Sequence, residues 1–261
     1  MTDIIDGEPT LSDLKGLWTR SLIEWPDGRR DVTTQVHWLQ GPSLYIDLRQ
    51  PTARPDFGAT RALTELDETQ LAWLATQEGF AGRLRHVDGW FEWHRNIDFQ
   101  PAGPHADAGS LRHATGYVIE VGRDVPYVEH WHRADVGDGT RSVAVRLVDE
   151  DRGRAAALVR VGEVFMFSLD RQTALPPLPD LAQCVAAAAD RAARLALVDC
   201  ELAVGRLDGE RWQLTRSSLP WREGTILAPR AVAAGLLTLD DGTDRRYSIA
   251  ELEGDATLLG L

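Results

Sequence analysis

Four stretches of the sequence place ionisable or polar side chains, mostly with bulky aromatic ones, at a spacing of two. They are Trp18 and Arg20; Tyr45, Asp47 and Arg49; His94, Asn96, Asp98 and Gln100; and Tyr127, Glu129 and Trp131. A spacing of two puts such residues on one face of a β-strand. A face left in water ordinarily carries Lys, Glu, Thr and Ser, so rings and charges together point to the inside of a closed sheet. A polar lining of that kind suits a polar or charged small molecule. The chemistry within reach is proton transfer. Asp47 or Glu129 with His94 could move a proton, Tyr45 or Tyr127 could polarise a carbonyl or hydroxyl, and Arg20 or Arg49 could hold an anionic group.

The segment from Phe91 to Pro101 is the densest case. One face reads Phe91, Trp93, Arg95, Ile97 and Phe99; the other reads Glu92, His94, Asn96, Asp98 and Gln100. If Arg95 is buried it requires a carboxylate, which Asp47 or Glu129 could supply. Alternatively His94, Asp98 and Gln100 line the cavity. His130 and His132 share a face, a spacing used in β-barrel metal sites, with His94, His37 or Glu129 as a third ligand. Glu129 falls on the opposite face of a regular strand, so no metal site is assigned and no cofactor is expected. The sequence has no glycine-x-serine-x-glycine elbow, no phosphate loop and no dinucleotide fingerprint.

The elements that must position these residues are short strands joined by turns. Alternation over 17–25 stops at Pro26-Asp27-Gly28, and further strands are expected at 32–40, 44–49, 80–87, 90–99, 115–122, 126–133, 141–149, 155–161 and 163–169. A loop spans 101–110. Residues 67–79 read as helical with Asp67 as N-cap, a segment that could act as a lid or plug. One alanine-rich helix is expected over 178–196, after Pro176-Pro177-Leu178-Pro179, and four or five strands finish the chain. About fourteen short strands at this spacing, with too few helices for alternating βαβ units, indicate an all-β antiparallel barrel or sandwich.

Gly16-Leu17-Trp18, preceded by a helical turn from Leu11 to Lys15, resembles the glycine-x-tryptophan signature that opens lipocalins and related calycins. The resemblance implies a closed calycin-like barrel whose Trp18 plugs one end, covered by an arginine from a late strand. Arg206, Arg216 and Arg222 are the candidates. The chain exceeds a typical lipocalin, so residues 1–175 are expected to form the barrel with its polar cavity. Residues 176–261 then supply a helix and strands that complete or cap it, or make a second small barrel.

A net charge of −12, with Lys15 the only lysine, argues against nucleic acid or an anionic membrane as partner. No apolar run approaches the ~20 residues of a membrane span. The acidic N-terminus has no leader-like pattern, and a cytoplasmic protein is expected. Cys184 and Cys200 read as buried thiols. The expected partner is a small-molecule ligand or substrate, with a homodimer also compatible. The expected function is a cofactor-independent lyase, isomerase or hydrolase acting by acid–base catalysis on a small polar or anionic molecule. The alternative is a binding protein for a small metabolite, and the contact residues in either case are Arg20, Trp38, Arg49, Trp93, Arg95, Asp98, Gln100, Tyr127 and Trp131.

Overall fold

The computed structural model describes residues 7–243 and 245–261. The opening segment Met1 to Asp6, part of the stretch read above as lacking a leader, lies outside them. The first sheet contains β1 (Gly16–Glu24), β2 (Arg30–Asp31), β3 (Gln35–Gln40), β4 (Leu44–Gln50), β5 (Glu78–Val87), β6 (Trp90–Asp98), β7 (Ala108–Ala114), β8 (Tyr117–Gly122) and β9 (Val128–Ala134). All neighbours are antiparallel. Strand β1 pairs with β3 on one side and with β9 on the other, from Leu17↔Ala134 to Glu24↔Val128, which closes an eight-stranded barrel with the short β2 as an appendage.

The second sheet holds β10 (Ser142–Asp149), β11 (Ala155–Val161), β12 (Val164–Leu169), β13 (Glu201–Asp208), β14 (Arg211–Ser217), β15 (Ala228–Ala233), β16 (Leu236–Asp240) and β17 (Arg246–Gly254). It curves into a half-barrel whose edges, β14 and the segment leading into β15, meet at Gln213↔Ile226 and at Leu227 N–H to Trp212 C=O, 2.8 Å. The strands of 142–169, grouped above with the first barrel, therefore pair in the second sheet. The change of sheet falls between Ala134 and Ser142.

Strand β4 shows why the two sheets stay together. Tyr45 and Asp47 point into the first barrel, while Leu44, Ile46 and Leu48 point out and are equally buried. They join Leu39 in a cluster with Ala144, Val159, Met166, Leu202 and Val204 from the outer face of the second sheet. Removing this apolar area from water is the main force holding the sheets face to face. The inside of the second sheet is a separate apolar core that includes Phe165, Phe167, Trp212, Leu214 and Tyr247.

Three expectations about elements change. The 67–79 segment is α2 (Glu68–Leu74), following the turn α1 (Leu11–Leu14); Asp67 caps it by accepting from Gln70 N–H, 2.8 Å. Leu71, Trp73 and Leu74 bury in the cluster between the sheets, so α2 is a packing element and not a lid or plug. The single helix at 178–196 is two, α3 (Leu181–Ala187) and α4 (Arg191–Val198). Asp190 ends the continuous reading because its carboxylate accepts from Ala193 N–H, 2.8 Å, and starts a new helix. Strand β7 lies partly in the expected loop; its Ser110, Arg112 and His113 gave no apolar alternation to detect.

Candidate functional site

The closed end of the first barrel is built around Trp18. Its ring is capped by Arg133 of β9, whose guanidinium carbon lies 4.5 Å from the ring centroid. That guanidinium also donates to the backbone carbonyls of Lys15, at 2.6 Å, and Asp13, while Trp18 Nε1 donates to Leu14 C=O at 2.6 Å. Gly16 must be glycine here: its φ is +140° and a Cβ would sit 2.8 Å from Arg133 Nη1. The expected arginine–tryptophan cover is thus present, but Arg133 makes it, not Arg206, Arg216 or Arg222. Those three lie in or beside the second sheet.

Above Trp18 the interior is an aromatic floor. Trp38 is central, 6.0 Å from Trp18, 5.3 Å from Trp131 and 5.8 Å from Trp93 between ring centroids. Tyr45 packs edge-on to Phe80 at 6.0 Å. Burial pushes the Tyr45 hydroxyl well above its ordinary pKa, and it sits within this floor rather than in the open cavity.

A layer of charge lies over the floor. Arg20 donates to Glu129 Oε1 at 2.6 Å and to Asp31 at 3.2 Å; Arg49 donates to Asp47 at 2.9 Å and lies 3.8 Å from Glu129 Oε1. Arg95 donates to Asp98 at 2.9 Å and to Asp107 at 2.6 Å. Its partners are therefore Asp98 and Asp107, not Asp47 or Glu129. The reason is a bulge: Gly82 faces Arg95 while the preceding Ala81 faces Ile97, so Asn96 is an extra residue and Arg95 and Asp98 both turn inward. A Cβ on Gly82 would lie 1.9 Å from His94 C=O, so the bulge requires glycine. A second bulge at Ser21 turns both Arg20 and Ile23 inward.

Two buried carboxyl groups face each other across the β8–β9 hairpin, Glu120 and Glu129, exposed by 3% and 2%. Tyr127 Oη donates to Glu120 Oε1 at 2.6 Å and Trp131 Nε1 donates to Oε2 at 2.9 Å. Burial, then the negative charge of Glu129, pushes the Glu120 carboxyl well above the usual range. Burial raises Glu129 and Asp47 too, opposed by the arginines beside them. Burial likewise raises the Tyr127 hydroxyl, so it stays neutral.

The layer opens into a cavity of about 480 Å³ bordered by Arg49, Trp93, Arg95, Asp107, Tyr127 and Glu129, roofed by residues 102–108. Beneath it a void of about 10 Å³ touches Trp38, Glu120 and Trp131. On the other side of the Arg95–Asp98 pair is a second hollow of about 410 Å³, bordered by Phe80, Gln100 and the start of α3. Gln100 belongs there: it donates to the carbonyls of Ala75 and Gln77 and accepts from Leu181 N–H, tying α2 to α3.

The structure thus brings Arg20, Trp38, Asp47, Arg49, Trp93, Arg95, Asp98, Tyr127, Glu129 and Trp131 into or around one cavity. His94 is set apart. It points outward at the rim, 48% exposed, with Nε2 3.2 Å from Glu92. His130 and His132 also point outward and flank Tyr117, at 4.8 and 5.4 Å; among the described residues no three His, Cys, Asp or Glu side chains are grouped to hold an ion. Sequence reasoning overlooked Glu120 and Asp107. Glu120 was accessible: a hairpin that pairs Val118 with Trp131 must pair Glu120 with Glu129.

No helix among the described residues is long and apolar enough to cross a membrane. No protein-family model matches the chain, and no curated protein matches it. Among solved structures it is similar to the uncharacterized protein YLR301w of Saccharomyces cerevisiae, at 12% identity and a TM-score of 0.54, over 91% of this chain and 98% of that one. At that identity the likeness concerns the fold.

Proposed function

We propose that the first barrel, of calycin-like type, binds a small polar molecule over its aromatic floor and acts on it by proton transfer. The observation that carries the reading is the buried pair Glu120 and Glu129, facing each other across the hairpin, with Tyr127 2.6 Å from Glu120 and bordering the cavity; burial and the charge of Glu129 push the Glu120 carboxyl toward its protonated form. When Glu120 carries a proton on Oε1, the 2.6 Å contact in which Tyr127 otherwise donates reverses, and Glu120 donates to the Tyr127 oxygen while Oε2 keeps the Trp131 bond. Tyr127 can then pass its own proton to a bound ligand and be reprotonated from Glu120. Glu129, raised by burial but held toward its charged form by Arg49 and Arg20, borders the same cavity and is the proton acceptor. An acid and a base kept apart by opposite environments suit elimination, isomerisation or hydrolysis. Tyr127 and Glu129 are the catalytic residues, and Glu120 is a positioning and relay residue.

A binding protein is the second reading, favoured by the arginines that already hold Asp47 and Glu129. The two separate on E120Q, tested on a metabolite mixture with mass-spectrometric detection of consumption. The enzyme reading expects the wild type to deplete a compound that E120Q binds but turns over about 10²–10⁴-fold more slowly. Equal depletion by both proteins contradicts the relay.

A further inference from the structure

We infer that the molecule taken by the first barrel is a small amine that also bears a hydroxyl or carbonyl oxygen; this rests on the reading above that the cavity is a small-molecule site. The charges inside the barrel are unequal. Asp47, Asp98, Asp107, Glu120 and Glu129 face Arg20, Arg49 and Arg95. Leaving Glu120 out, since it touches none of these arginines, four carboxylates still face three guanidiniums, and Arg20 is further shared with Asp31.

Each of the three arginines already has a carboxylate oxygen within 2.9 Å. An anionic ligand would have to displace one of these, leaving a buried carboxylate without its cation. A cation meets the opposite situation. Glu129 takes its arginine contacts on Oε1 and Asp107 takes Arg95 on Oδ2, and their other oxygens have no donor among the described residues. Both residues border the cavity. The ring faces nearby already attract positive charge, with Arg95 3.6 Å and Arg49 5.0 Å from the Phe80 centroid.

The oxygen follows from an independent feature. Trp38 is 1% exposed and its Nε1 has no acceptor among the described residues. An indole N–H can only donate, and a buried donor without an acceptor is unfavourable. Trp38 borders the void of about 10 Å³ that adjoins the cavity through Arg49, Trp93 and Asp107. That volume holds a water-sized group, and a hydroxyl or carbonyl oxygen of the ligand fits it.

The test uses two matched sets of probes, glucosamine, glucose and glucuronate, and benzylamine, benzyl alcohol and benzoate, titrated into the wild type and D107N by calorimetry. The amine of at least one set should bind the wild type most tightly. The binding should weaken with added salt and fall about tenfold in D107N, the factor expected for one lost charged hydrogen bond. The oxygen is read in the amine-bearing sugar, which should bind W38F more weakly than wild type. If the carboxylate member binds best, the cavity stands and its assigned ligand class fails. If no probe of either set binds the wild type, the small-molecule reading itself is overturned. Wild-type ranking and salt dependence decide the matter even if a variant folds poorly.

Discussion

Replacing Glu120 by glutamine removes one proton-binding group while keeping its shape. In the folded protein, burial and then Glu129 hold this carboxyl well above its ordinary pKa of 4.5. Below that ordinary value the group is protonated whether the chain is folded or not, and it does not affect stability. As pH rises past it, the unfolded chain releases the proton and the folded chain keeps it. Stability then falls by about 1.4 kcal/mol per pH unit until the folded carboxyl ionises. E120Q lacks this loss. Its amide carbonyl accepts from Trp131 Nε1, and its amide N–H donates to the Tyr127 oxygen, so the offset independent of pH is small. Asp47 and Glu129, also raised by burial, impose a similar trend on both proteins and cancel in the difference. Urea unfolding of wild type and E120Q at pH 5, 6 and 7 should therefore show the variant gaining on wild type as pH rises, by at most about 1.4 kcal/mol per unit while the folded carboxyl keeps its proton. A difference that stays constant with pH would refute a neutral Glu120.

Other changes have equally definite outcomes. Glu129→Ala leaves Arg20 with Asp31 alone and Arg49 with Asp47 alone, and chemical denaturation should show a loss of about 1.5–3 kcal/mol. Leu39→Ala opens a cavity between the two sheets and should cost about 2–5 kcal/mol in a single unfolding transition, because one apolar cluster joins them. Two resolved transitions would show that the sheets unfold independently. Arg133→Ala removes the Trp18 cover and two backbone hydrogen bonds at the closed end; a Tm decrease corresponding to about 1–2 kcal/mol is expected, with probe binding at the open end unchanged.

What could be read from the sequence, and what could not, follows from local regularity. Tyr45, Asp47 and Arg49 lie on an unbroken strand, so alternation placed their side chains on one face and that face is the inside. The Phe91–Gln100 segment departs from regular alternation at one residue. Period-two reasoning holds only until a bulge, and the bulge at Asn96 is set by the bare backbone of Gly82 on the neighbouring strand. The Trp18 signature indicated a covered closed end, but the identity of its arginine depended on which strand ends the barrel. That strand is β9, because β10–β12 pair elsewhere. Alternation also could not show that Leu44, Ile46 and Leu48 face a second sheet, since burial on both sides of β4 arises only from the packing of the two sheets. Glu120 needed only the hairpin register, and Asp107, in the roof before β7, had no local pattern to mark it.

The central claim is that a small molecule enters the first barrel and rests on its aromatic floor. The direct measurement is ¹⁹F NMR of the protein labelled with 5-fluorotryptophan, its nine resonances assigned by Trp→Phe substitution, with the amine, alcohol and carboxylate probes added in turn. Binding should shift Trp38, Trp93 and Trp131 and leave Trp212, inside the second sheet, unmoved. Shifts at Trp212, shifts that leave Trp38, Trp93 and Trp131 unmoved, or no saturable shift with any probe, would contradict it.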